Sequence, residues 1–132
     1  MCNVGDIILI ESYKHGKISL SRHSFVVLSV DAGTIEGLHY DFVCNVLSSF
    51  KNEEQRAKKL SYPGNFELTH KDSKVEDGNK KSGFVKSDQL YYFNNQKIDY
   101  TIIGNLHPDA LGRLFEFIKN LKVPVDDLTD NL

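Results

Sequence analysis

The chain contains no tryptophan, one methionine, three prolines and two cysteines in 132 residues. Two cysteines, Cys2 and Cys44, are too few and too far apart for the disulfide framework of a small secreted domain. No apolar run approaches the ~20 residues of a membrane-spanning helix. The first residues lack the basic, apolar and small-residue regions of a secretory signal. The expectation is a reducing, cytoplasmic setting with no membrane contact. Excess charge is missing too: 16 Lys and Arg face 18 Asp and Glu, a formal −2. That balance argues against a globally basic nucleic-acid binder and leaves such a role only to a local basic cleft. What is present, 40% apolar and 26% charged residues, is an ordinary globular composition. The length suits one domain that buries a core without disulfides or metal.

The pattern along the chain is mainly β. Val4 to Glu11, Ser24 to Val30 and Phe42 to Leu47 are short, β-branched apolar runs that read as buried strands. Ser12 to Arg22, polar and basic around Gly16, reads as a hairpin-like loop. Asp31-Ala32-Gly33 reads as a turn before a short edge strand at Thr34 to Tyr40. In Lys51 to Leu60, Asn52 precedes Glu53-Glu54 and the bases come last, the N-cap and dipole pattern of a short exposed helix. Pro63-Gly64 is a turn, and Thr69 to Lys81 a mobile polar loop. Further strands are expected at Phe84-Val85, Leu90 to Phe93 and Ile98 to Ile103. Pro108 and Asp109 then open a helix whose apolar face is Ala110, Leu111, Leu114, Phe115, Ile118 and Leu121, with Pro124 as its stop. Residues 1–124 read as a single domain, a strongly curved antiparallel sheet or barrel capped by a helix. Residues 125–132 read as an acidic tail, either disordered or competing for a basic groove. It carries three Asp and no base, which leaves the preceding 124 residues at +1. Cys44 is expected to be buried in its strand and Cys2 to be an exposed terminal thiol.

Several chemistries lack their motifs. No phosphate-cradling Gly-rich loop and no Gly-x-Ser-x-Gly elbow occurs. The five histidines are scattered, without the spacing of a metal site, so no metal and no cofactor is expected.

Three segments, read in order, resemble the PemK/MazF family of toxin ribonucleases. Gly5-Asp6-Ile7-Ile8-Leu9-Ile10 looks like the family's opening strand. Arg22-His23-Ser24-Phe25-Val26-Val27-Leu28-Ser29 looks like its Arg-Pro-hydrophobic strand. Val43-Cys44-Asn45-Val46-Leu47-Ser48-Ser49 looks like the strand ending in Thr-Ser. Ile98-Asp99 and Ile103-Gly104-Asn105-Leu106, leading into the last helix, keep the same rhythm, so the likeness spans about residues 4–121. It implies a small SH3-like antiparallel β-barrel with a C-terminal helix, usually a homodimer. It also implies metal-independent cleavage of single-stranded RNA at short sequences, and a cognate antitoxin as partner. By position, Arg22 matches the family's catalytic arginine, Ser48 its threonine and Ser49 the serine beside it. His23 stands where the family usually has proline, and Ser48 where it has threonine.

The chemistry suits those residue types. Cleavage by the RNA's own 2′-hydroxyl needs a base for that proton, donors for charge on the phosphate and a proton for the leaving oxygen. Arg22 offers a planar fork to phosphate oxygens, Ser48 a hydroxyl donor and His23 an imidazole that could move a proton. Ser49, Lys14 and Lys17 are candidate substrate contacts, and Tyr13 could stack a base. Each has a plainer alternative. Arg22, Lys14 and Lys17 would be solvated charges, His23 an exposed strand-start residue, Ser48-Ser49 a strand end, and Tyr13 the edge of the core. The competing function is a non-catalytic binding module on the same barrel, as in the gyrase-poisoning toxins that the resemblance also brings in.

Overall fold

The computed structural model describes residues 1–75 and 82–132. The chain opens with β1 (Asp6–His15) and β2 (Ile18–Ser29), a long antiparallel ribbon closed by Gly16-Lys17. Gly16 has φ 63°, a left-handed conformation that glycine adopts without the steric penalty of a side chain. The polar stretch Ser12 to Arg22 is therefore mostly strand and only its tip is loop. Ser12, Lys14, Ser19 and Ser21 are exposed while Tyr13 is buried, and with so few apolar residues the period of 2 is faint in the sequence. A small separate hairpin follows, β3 (Gly33–Ile35) with β4 (Leu38–Tyr40).

β5 (Phe42–Ser49) is the spine. One edge pairs with β2, from Ser24↔Leu47 to Val27↔Cys44. The other edge is shared by two successive strands: β8 (Gly83–Lys86) lies against Leu47–Ser49, and β9 (Gln89–Phe93) against Phe42–Cys44. Ser87-Asp88 separates the two. At this break the buried Asn45 donates its Nδ2 to the Gln89 carbonyl at 2.8 Å. Ser87 donates both its amide and its hydroxyl to the Gly64 carbonyl, at 2.9 and 2.6 Å. Outside β8 lies β6 (Asn65–Leu68). On the far side of β1 lie β10 (Thr101–Leu106) and then β7 (Ser73–Val75).

The expected polar loop, Thr69 to Lys81, thus contains a strand, β7; its residues 76–81 lie outside the described residues. The strand expected at Ile98 begins only at Thr101, while Ile98 and Tyr100 pack on the core as loop residues.

The sheet curls so that two apolar clusters form on its two faces. One holds Ile8, Ile10, Phe25, Val27, Phe42, Cys44, Tyr91 and Phe93. The other holds Ile7, Val26, Leu68, Val85 and Leu106, and is covered by α2 (Pro108–Lys119) through Leu111, Leu114 and Ile118. Burial on both faces explains why β1 and β2 carry unbroken aliphatic runs instead of alternation. The helical face is narrower than its spacing suggests: Phe115 is exposed, and the helix ends at Lys119, before Pro124. Asp72 anchors its first turns, accepting from the Thr69 amide at 2.8 Å and from Arg113 at 2.7 Å. Burial pushes the Asp72 carboxyl up, but these donors outweigh it and hold it below the usual carboxylate range.

Three expectations are corrected. The mainly-β domain with its helix stands, but among the described residues the sheet does not close into a barrel. Its order runs β11-β9-β5-β2-β1-β10-β7, and its two outer strands are not paired with each other. The acidic tail is the reason on one side: β11 (Asp126–Leu128) lies parallel on the free edge of β9. The tail is also fixed beyond that strand. The Asn131 side chain accepts from the Lys14 amide at 2.7 Å and donates to the Lys14 carbonyl at 3.0 Å, while Asp130 accepts from the Gly16 amide at 2.9 Å. Cys2, expected to be exposed, is buried against Cys44's cluster, its amide donating to the Tyr100 hydroxyl. Burial raises both thiols, Cys44 well above the ordinary value.

Asn131→Ala removes both bonds to Lys14. It is expected to cost about 1–3 kcal/mol, read as a lower urea midpoint at unchanged slope.

Candidate active site

A cavity of about 720 Å³ opens where the end of β5 meets β2. Its lining joins Arg22, His23 and Ser24 from β2 to Leu47, Ser48 and Ser49 from β5. α1 (Glu53–Leu60) contributes Gln55 and Lys59, and β8 contributes Phe84 and Lys86. Leu9 and Ile103 complete an apolar floor. The size is that of pockets that bury an organic ligand.

Register brings the β2 and β5 residues together. Ser24 pairs with Leu47, so His23 and Arg22 continue beside Ser48 and Ser49 as the two strands run on. On its other edge Ser48 pairs with Phe84, and Ser49 with Gly83. That approach leaves no room for a side chain at 83: a β-carbon there would collide with the Ser48 carbonyl. After Ser49 the chain turns through Phe50, whose ring stacks on Phe84 at 5.2 Å. It enters α1 at Asn52, whose Oδ1 accepts from the Gln55 amide at 2.8 Å, as the sequence led one to expect. Gln55 and Lys59, four apart, share the helix face turned to the cavity.

His23 is oriented by its own strand. Its Nδ1 lies 2.9 Å from the Ser21 carbonyl oxygen. A carbonyl can only accept, so in the neutral ring Nδ1 carries the proton and Nε2 is the free base. The edge of the Tyr13 ring packs at 90° to the imidazole, with centroids 5.6 Å apart. Arg22 meets Glu11 at 3.8 Å, with the two side chains 67% and 75% exposed. So loose a pair on the surface leaves the guanidinium available to another anion at little cost. The cavity lining contains three cationic side chains, Arg22, Lys59 and Lys86, and no carboxylate. Among the described residues no three His, Cys, Asp or Glu side chains gather as a metal-ligand group. The lining residues bring an imidazole, fixed positive charge and hydroxyls to the walls of one cavity.

Arg22, His23, Ser48 and Ser49 therefore lie on one cavity, and the other sequence candidates do not. Tyr13 is 4% exposed inside the aromatic cluster with Phe25 and Tyr91, so its ring cannot stack a base. Lys14 is bound through its backbone to Asn131 and lines a different, smaller cavity with Asp130. Lys17 sits at the ribbon tip, five residues from Arg22 and roughly 17 Å along the strand. Gln55, Lys59 and Lys86 were missed as site residues. The only signal was the net positive charge of residues 51–60, and nothing in the sequence marked Lys86.

Compared with protein-family models, with curated proteins and with solved structures, the chain matches none. No helix among the described residues is long and apolar enough to cross a membrane.

The close approach at Gly83 gives a paired test. Gly83→Ala is expected to lose about 1–3 kcal/mol, as overpacking does. Gly112→Ala, in α2 with open space around the added carbon, is expected to gain up to ~1 kcal/mol. Urea unfolding of both variants measures the contrast.

Proposed function

We propose that the protein is a metal-independent endoribonuclease that cuts single-stranded RNA, a growth-inhibiting toxin of the PemK/MazF kind acting in the cytoplasm. One observation carries the reading: the residues aligned to the family's catalytic arginine and its Thr-Ser pair, with His23, line one cavity that contains cations and hydroxyls and no carboxylate. A phosphodiester is the ligand such a lining suits.

In this mechanism Nε2 of His23 takes the proton from the 2′-hydroxyl. The 2′-oxygen attacks the adjacent phosphorus, and the bond to the 5′-oxygen breaks. Charge on the non-bridging oxygens is met by the Arg22 fork and the Ser48 hydroxyl. The leaving 5′-oxygen takes a proton from water, the hydroxide so formed takes back the proton held by His23, and the products are a 2′,3′-cyclic phosphate and a 5′-hydroxyl. Ser49 lies at the rim as a further donor. A cognate antitoxin and a homodimeric state belong to the same reading through the resemblance.

The test is incubation of the purified protein with single-stranded RNA in excess EDTA. Cutting is expected. Arg22→Ala and Ser48→Ala are each expected to slow it by about 10²–10³, and Ser48→Thr, which keeps the hydroxyl, to retain most of it. Intact RNA with the unaltered protein would reject the enzyme. RNA that is bound but uncut would favour the binding module on the same cavity.

A further inference from the structure

We infer that Lys59 and Lys86 form a second phosphate subsite, so that the cavity holds two backbone phosphates of one RNA strand: the scissile one at Arg22, His23 and Ser48, and a neighbour at the two lysines. The inference rests on the reading of the cavity as an RNA site and adds residues and a binding mode to it.

The observations concern how the chain disposes of its charges. α1 carries Arg56, Lys58 and Lys59. Arg56 is neutralised twice, by Glu53 at 2.9 Å and by Glu67 at 2.6 Å, and this pairing ties the helix to β6. Lys58 is exposed to solvent. Lys59, one residue on, is half-buried and lines the cavity, yet it has no carboxylate within 4 Å among the described residues. Lys86 is the same: half-buried, on the same wall, and unpaired among the described residues. Two half-buried lysines share one wall with no carboxylate within 4 Å among the described residues, an arrangement that an anion from outside stabilises.

That anion is a second phosphate for two reasons. Arg22 enters from β2, whereas the lysines enter from α1 and β8 across the end of β5, so the cations form two groups with Ser48 and Ser49 between them. Lysine also differs from arginine in what it recognises. An ammonium is a point charge that attracts a phosphate without fixing its orientation, which suits holding a strand more than stabilising a reacting group. Gln55, on the same wall, keeps its Oε1 on the Lys51 amide at 2.7 Å. Its Nε2 is left as a neutral donor beside the lysines.

The test measures affinity for a short single-stranded 2′-O-methyl oligonucleotide, which cannot be cut by its own 2′-oxygen, by fluorescence anisotropy between 50 and 200 mM salt. Each phosphate neutralised on a single strand contributes about 0.7 to the slope of log affinity against log salt. Lys59→Gln and Lys86→Gln are expected to lower that slope by about 0.7 when combined if they share one phosphate. Lys58→Gln, on the same helix but facing solvent, is expected to leave it unchanged. With cleavable RNA the lysine variants should raise KM and hold kcat within about twofold. Cutting by the unaltered protein with unchanged slopes in both lysine variants would overturn the subsite and leave the ribonuclease reading standing. Binding whose slope falls in the lysine variants, without any cutting by the unaltered protein, would support the subsite and overturn the ribonuclease. No binding by the unaltered protein would overturn both.

Discussion

The structure depends on the divided outer edge of β5. A strand paired on both edges cannot shift register without moving its whole apolar set to the wrong face. Here one edge is held by β2 and the other by two strands in succession. Asn45 spans the gap between them with a buried hydrogen bond to Gln89, so the break in the ladder does not leave both polar partners unsatisfied. The turn at Ser87-Asp88 separates the two strands, so each pairs with a different part of β5. β9 stays with the aromatic core, and β8 turns with β6 toward α1. The last turn of the spine, Ser48-Ser49, is thereby carried out of the core to the rim of the cavity.

Charge placement follows from the same geometry. The overall −2 conceals a separation. The tail's three acids lie along β9 and the tip of the β1–β2 ribbon, where Asp127 accepts from the Tyr92 hydroxyl and Asp130 from Gly16. The cavity beside the middle of the ribbon has three cations and no acid in its lining. A tail fixed in this way does not compete for the cavity, and the field there comes from Arg22, Lys59 and Lys86. Three charges gathered around one cavity act more strongly on a phosphate than the same charges spread over a surface.

The elements that were legible are those whose signal is local. The aliphatic runs of β1, β2 and β5, the Asn52 cap and Pro108 at the helix start each follow from residues next to one another in the chain. Arg22 and Ser48 were legible as motif residues, and their shared cavity follows from the pairing of the two strands that carry them. What was not legible is long-range. Asn131 closes on Lys14 across 117 residues, and a stretch with few apolar residues gives no hint that it will be fixed by backbone pairing. Tyr13 looked like a strand-end aromatic because the alternation slips at Glu11-Ser12, both exposed, which turns Tyr13 into the core. Lys86 gave no signal because its position depends on which edge of β5 takes β8.

We propose the end of β5, with β2, α1 and β8, as the place where single-stranded RNA binds. Amide chemical-shift mapping with the 2′-O-methyl oligonucleotide tests it most directly. Saturable shifts confined to residues 22–24, 47–49, 55–59 and 84–86, with the α2 face and the tail unmoved, are the predicted result. Shifts centred on α2 or on the ribbon tip, or none at millimolar oligonucleotide, would contradict the account.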